Sequence, residues 1–394
     1  MGFSSSINIS KVNFKTDVGL RLSKTNQKIN NSNKKLIINM SILFSPLKIK
    51  NTTFKNRMVV SPMCMYSSVD GFANDFHLVH LGSRAVGGMG LIIQEATAVS
   101  PEGRITYGDM GIWKDEHIEK AKQIVDFVHS QKALIGIQLA HAGRKASYQL
   151  PKDGARKIAP DDENGWQTVS ASALPFREGE PMPIALDASG IEKVKNDYAA
   201  ATLRAEKAGY DIVEIHAAHG YLFHQFYSPL ANKRTDGYGG SFENRIRFLL
   251  EVTEVVRREW PEEKPLFVRI SATDWTEGGW TIEDSVKLSI KLKKLGVDLI
   301  DTSSGGNVPK ATIPSEPGYQ VPFAAQIKKE ANILTGAVGQ ITTAEQSEEI
   351  LKKGKADLIL YARESLRQPY FPLHAAKELN VDVAWPLQYE RAKI

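Results

Sequence analysis

A single-domain (β/α)8 TIM barrel is the fold class that this sequence predicts, on three observations. Eight short apolar runs rich in Val, Ile and Leu recur along the chain, most without polar alternation, the pattern of strands buried on both faces of a parallel sheet. Stretches with helical spacing of apolar residues separate them. Several of those stretches end in a glycine that leads into the next apolar run, at Gly209, Gly296 and Gly354, as helix C-termini do. The 394 residues are enough for one such barrel, which takes about 250 residues and more with insertions.

The strands are expected, in order, at Met58–Val60, Gly90–Glu95, Leu134–Leu139, Ile212–His216, Leu266–Ile270, Leu299–Asp301, Ile333–Thr335 and Leu358–Leu360. The clearest helical stretches are Glu116–Gln131, Ile191–Lys207, Glu243–Trp260, Ile282–Lys294 and Thr342–Lys353. An open, doubly wound sheet is the alternative arrangement. It would want a Gly-rich turn after its first strand, where this chain has Ser61-Pro62-Met63-Cys64. Two stretches break the rhythm. Residues 147–183, rich in Pro, Gly and Asp, form an inserted loop region after strand three, and 302–319 after strand six is similar. Long loops on the catalytic face of a barrel are expected as lids or pocket walls.

The domain division expected is an N-terminal extension, 1–41, and a barrel domain, 42–394. The extension is rich in Ser, Asn and Lys and poor in acids. That composition reads either as disorder or as a transit peptide. The location expected is therefore cytoplasmic, or organellar if the extension is such a peptide. The formal charge of +5 belongs to this segment, since the first forty residues hold seven Lys/Arg against Asp17 alone. The remaining body is near neutral, which argues against nucleic acid or an anionic membrane as partner. No run of about 18 apolar residues appears, as a spanning helix would need. The one cysteine, Cys64, allows no internal disulfide, thiolate zinc site or four-cysteine iron–sulfur cluster.

In barrels of this type the chemistry sits at the carboxyl ends of the strands. Strand four ends in His216-Ala217-Ala218-His219-Gly220-Tyr221, which crowds three proton-carrying groups at one rim position. The trio can bind a substrate oxygen, begin a metal pair, or serve packing alone. A metal would want a third ligand, often a carboxylate, and Glu214 lies inside the strand. Arg269 ends strand five, where a charge is costly unless paired. It faces either a barrel acid such as Glu214 or an anion. Gln138, at the end of strand three, offers a donor and an acceptor to a heterocycle edge, or is a satisfied core amide. The turn Gly336-Ala337-Val338-Gly339-Gln340 after strand seven and Arg363 after strand eight match the phosphate corner of such barrels.

These residues resemble the old yellow enzyme family. The resemblance is carried by His216–Leu222, by Phe226-Tyr227-Ser228-Pro229-Leu230-Ala231-Asn232, by Arg234-Thr235-Asp236, and by Tyr238-Gly239-Gly240-Ser241-Phe242-Glu243-Asn244-Arg245. It runs from about Leu43 to Arg391. Pro62-Met63-Cys64-Met65-Tyr66 is similar to the thermophilic-like, bacterial-type branch of ene-reductases. The resemblance implies non-covalent FMN, NADPH or NADH as hydride donor, and reduction of the activated C=C bond of α,β-unsaturated carbonyl compounds. It implies that Ser61, Pro62, Met63 and Cys64 line the flavin and that Ala96 and Gln138 contact its rings. Arg269 would face the reduced ring, and Val338, Gly339, Gln340, Ala362 and Arg363 would hold the phosphate. His216 and His219 would bind the substrate oxygen, Tyr221 would give the proton, Tyr66 would help bind substrate, and Cys64 would tune the flavin. No metal is implied. The branch also implies a homodimer or homotetramer in which Arg391 reaches the neighbouring subunit's substrate pocket. Ala362 departs from the family, where Gly commonly precedes the phosphate-binding Arg.

Overall fold

The computed structural model describes residues 41–393. Most of the expected extension, with its reading as a transit peptide, lies outside the described residues. Eight parallel strands close into a barrel: β1 (Met58–Val60), β2 (Leu91–Ala98), β3 (Leu134–Ala140), β4 (Ile212–Ala217), β5 (Leu266–Ser271), β6 (Leu299–Ser303), β7 (Leu334–Ala337) and β8 (Leu358–Tyr361). Neighbours in sequence are neighbours in space, and β8 pairs with β1 to complete the circle. Closure excludes the open doubly wound alternative.

The helices outside the barrel are α1 (Asp75–Val86), α2 (His117–Ser130), α3 (Ala188–Ala208), α4 (Phe242–Glu259), α5 (Ile282–Lys294), α6 (Val321–Ala331), α7 (Ala344–Lys352) and α8 (Phe371–Glu378). Side-chain caps set several of their starts. Asp187, Ser241, Thr281 and Thr343 each accept a bond from a backbone N–H in the first turn, which satisfies a donor that the helix itself cannot. The five helices anticipated from periodicity form within a few residues of their expected bounds. Helix α1 was not anticipated, because its core-facing stripe contains His77, His80 and Arg84, which hides the apolar repeat. Among the described residues, no helix is long and apolar enough to cross a membrane.

The interior of the barrel changes character along its axis. Val59, Leu91, Ile93, Ile212, Phe267, Leu299, Leu358 and Leu360 form a core cluster inside it. The hairpin of Leu47–Ile49 with Thr52–Phe54 closes that end, its Phe54 ring stacked 6.4 Å from Phe267. Alternate residues of a strand share a face. Two residues further along the same faces come Glu214, Arg269 and Asp301, then His216, Ser271 and Ser303. All six are buried. The apolar plug therefore gives way, at the carboxyl ends, to a buried polar chamber.

Candidate active site

The turn after β4 carries the three rim groups. The backbone N–H of Ala218 donates to Nδ1 of His216 at 3.3 Å, so the proton of the neutral ring sits on Nε2. His219 is held with φ 59°, a left-handed conformation that His tolerates better than most residues. Its N–H donates to Ser271 Oγ at 2.9 Å, and its Nε2 lies 2.7 Å from Ser303 Oγ. The His216 ring is 5.1 Å from that of His219 and 5.0 Å from that of Tyr221, both edge to face. Burial, and then the Arg269 charge, pushes both imidazoles well below their usual range. Burial pushes the Tyr221 phenol well above its own. At neutral pH the trio is therefore two uncharged imidazoles and a phenol that keeps its proton. Such a set can donate to an oxygen that gains negative charge and can supply one proton.

The floor beneath is an unequal charge cluster. Register places Gln138 opposite Glu214, His216 opposite Arg269, and Arg269 opposite Asp301. Arg269 Nε lies 3.1 Å from Asp301 Oδ2, but the N–H is not aimed at that oxygen, and Nε is left without a hydrogen-bond partner. One Nη donates to Ser61 Oγ at 3.2 Å. The pairing with a barrel acid is thus made to Asp301, where the sequence suggested Glu214. Glu214 instead accepts from Gln138 Nε2 at 2.8 Å. Its other oxygen has no partner. Burial first, and the neighbouring Asp301 second, push Glu214 up to about 8. Gln138 is therefore half engaged: its N–H is spent on Glu214, and its carbonyl oxygen remains for another donor.

Residues after β1 form one wall. Ser61 N–H donates to Tyr361 O at 3.0 Å, and Met65 N–H donates to Glu95 Oε2 at 2.9 Å. Glu95 stands at a register shift in β2 between Gln94 and Ala96, a bulge that re-aims a side chain. Its Oε1 meets His77 Nε2 of α1 at 3.3 Å. Burial, with Asp109 and Glu95 nearby, raises the Cys64 thiol. That environment is the opposite of the cationic one that activates cysteine nucleophiles.

Across the mouth, Val338 and Gly339 are buried, Gln340 and Ala362 half-buried, and Arg363 exposed. Gly339 has φ +123°, a backbone conformation that strains any side chain, and a Cβ there would also press on Gln320 Nε2 at 2.9 Å. Burial raises the Tyr319 phenol, and the charges of Arg363 and Arg269 oppose that rise. Arg363 opens a helical turn of only five residues, Arg363–Arg367. An anion at this corner would rest on the Arg363 side chain and the Gly339 backbone.

The 147–183 insertion builds a wall, as anticipated. Arg144 donates to the carbonyls of Leu174 and Pro175, which brings Phe176 over the Lys145 ammonium at 4.5 Å. Beside Tyr66 a cleft of about 990 Å³ opens, lined by Arg104, Tyr107, Leu150 and Trp166 among others. Arg391 stands apart from the rest. The preceding segment lines one cavity with Lys55, Asn56, Gly88 and Lys132, which enter strands at the opposite end of the barrel. Arg391 is exposed and does not join the rim of its own chain. Sequence reasoning missed Ser271, Ser303, Asp301 and Lys145. The first three carry a signal in hindsight, since they share strand parity with Arg269 and Leu299.

The NADH:flavin oxidoreductase / NADH oxidase family profile matches residues 42–382. The NADPH dehydrogenase of Bacillus subtilis (strain 168) is 50% identical over 351 residues, 89% of this chain and 98% of that relative. Among solved structures, morphinone reductase in complex with tetrahydroNAD superposes with a TM-score of 0.71 at 28% identity, over 86% of this chain and 92% of that one. The old yellow enzyme homologue from Zymomonas mobilis gives 0.71 at 27% identity, over 88% and 99%.

Proposed function

From the premise that this chain belongs to the NADH:flavin oxidoreductase / NADH oxidase family, we propose that it is an ene-reductase acting on α,β-unsaturated carbonyl compounds. It is an FMN-dependent NAD(P)H oxidoreductase. The residues present fit that cofactor. A buried arginine with an unused Nε, a glutamine with a free carbonyl, and a backbone cradle at Gly339 suit an electron-rich heterocycle carrying a phosphate. In this reading Ser61, Pro62, Met63, Cys64, Ala96, Gln138 and Arg269 bind the ring system. Val338, Gly339, Gln340, Ala362 and Arg363 bind the phosphate, within an FMN-binding domain spanning 42–394. When bound, FMN supplies the hydride chemistry, and the protein supplies orientation, electrostatics and the proton.

The observation that carries the proposal is the trio of uncharged donors at the end of β4. His216 Nε2–H and the His219 ring donate to the substrate carbonyl oxygen between them. They stabilise the negative charge that builds on that oxygen as the C=C bond is reduced. Their neutrality matters, because a full imidazolium would hold its counter-ion in the resting site. Tyr221 keeps its proton at neutral pH and delivers it to the α carbon. Tyr66, beside the open cleft, borders the same substrate space.

The test uses the FMN-loaded enzyme. NADPH oxidation should accelerate on adding 2-cyclohexenone, and p-hydroxybenzaldehyde should produce a long-wavelength charge-transfer band with the flavin. The double variant His216→Ala/His219→Ala should retain FMN while losing the band and enone turnover. A double variant that keeps both would overturn the oxygen-binding assignment.

A further inference from the structure

We propose that Lys145 is a positioning residue of this site, whose ammonium staples the turn carrying His219 to the turn after β6 and so sets where the oxygen-binding donors stand. This rests on the ene-reductase reading of the β4 rim.

Lys145 follows β3, yet its Nζ reaches across the mouth of the barrel. It donates to the carbonyl of His219 at 2.8 Å and to that of Gly306 at 2.9 Å. No carboxylate forms an ion pair with it among the described residues. Its partners are two carbonyls and two aromatic faces, Phe176 at 4.5 Å and Tyr221 at 5.2 Å. A part-buried ammonium is poorly hydrated, so these contacts carry its solvation. Burial lowers it only to about 8, which leaves it charged at neutral pH.

The two turns are in backbone contact. A Cβ on Gly306, which has φ +91°, would lie 2.7 Å from His219 Cα, so the approach tolerates no side chain. Two carbonyls from different loops converge on the same side of this contact. Without a shared donor they would repel each other and lack solvation. Arg144 strengthens the tie, since its Nη2 donates to Asn307 O at 2.8 Å. The left-handed backbone of His219 is strained, and persists only where its surroundings over-determine it. The Lys145 bond to its carbonyl is one such determinant. The imidazole hangs directly from that backbone, and the Tyr221 ring lies against the same ammonium. A donor pair displaced by a fraction of an ångström loses directed bonds to an oxygen.

The experiment compares wild type, Lys145→Met and Lys145→Arg as FMN holoenzymes. It measures flavin occupancy, the rate of flavin reduction by NADPH, p-hydroxybenzaldehyde affinity from its charge-transfer band, and kcat and KM for 2-cyclohexenone. K145M should hold FMN, with phenol Kd and enone KM each raised about tenfold, the size expected for losing one charge-assisted constraint. K145R, whose guanidinium can reach both carbonyls, should recover most of the affinity. Unchanged phenol Kd and enone KM in K145M, beside a wild type that shows both band and turnover, overturn the staple alone. A wild type with neither band nor turnover overturns the reading beneath it, and the staple with it. Should K145M yield no soluble flavoprotein, Lys145→Gln decides: its amide can donate to one carbonyl only, so an affinity between wild type and a tenfold loss supports the staple, and wild-type affinity overturns it.

Discussion

Replacing Glu214 by glutamine separates the two buried acids on the barrel axis. Both Glu214 and Asp301 are fully buried, and one cation, Arg269, serves them. Asp301 holds the arginine at 3.1 Å, and Glu214 is left with an unpartnered oxygen and a carboxyl pushed from 4.5 up to about 8. At neutral pH Glu214 therefore carries a proton in the folded chain and loses it in the unfolded one. A carboxyl raised in the folded state costs stability as pH climbs from the unfolded value toward the folded one, here from about 4.5 to about 8. Each unit is worth about 1.4 kcal/mol, so the whole span comes to about 5 kcal/mol as an order of magnitude. Glutamine cannot ionise, and its amide oxygen can still accept from Gln138. E214Q should match wild type within about 1 kcal/mol near pH 5 and exceed it by several kcal/mol near pH 8.5. The check is urea unfolding of both proteins at fixed excess FMN, with tryptophan fluorescence as signal. Groups that titrate alike in both proteins cancel in the difference. A stability difference that stays flat between those two pH values would refute the assignment of the proton to Glu214.

Three further outcomes are expected. Tyr221→Phe should bind FMN and phenols normally, while the flavin reoxidation rate with enone falls about 100-fold or more, the usual weight of a general acid; stopped-flow rates within threefold of wild type would remove the proton-donor role. Cys64→Ala should keep ene-reduction and change the rate of flavin reduction, and wild-type Cys64 should alkylate slowly at pH 7 because burial raises its thiol; complete loss of turnover with FMN bound would contradict this. For Arg391, we propose a closed homo-oligomer in which it enters the neighbouring subunit's substrate pocket. The tail beside it exposes Leu387 and Tyr389, apolar surface that a neighbour would cover. Arg391→Ala should raise enone KM with NADPH reduction unchanged, and a monomer at micromolar concentration by sedimentation would defeat the proposal.

Strand positions were legible because burial on both faces writes itself into composition. Runs such as Leu266–Ile270 need no partner to be recognised. The β4 turn was legible for a related reason: His, His and Tyr within six residues place their groups together whatever the rest of the chain does. Helix α1 was not legible, since its core-facing stripe holds His77 and His80, of which His77 finds partners in Ser68, Asn74 and Glu95, and periodicity counts apolar residues only. Among charges, the sequence could show that Arg269 needed a counter-charge but not which acid answers it. That choice depends on register, which sets Asp301 opposite Arg269 and leaves Glu214 to Gln138. Local order thus determined the barrel, the donor trio and the Gly339 corner, because each depends on neighbours in the chain. Only the closed tertiary structure decided the pairing of Arg269 with Asp301, the proton on Glu214, and the reach of Lys145 from β3 to the turns after β4 and β6. Those are contacts between residues some 32 to 161 positions apart, brought together by barrel closure and by nothing in the local sequence.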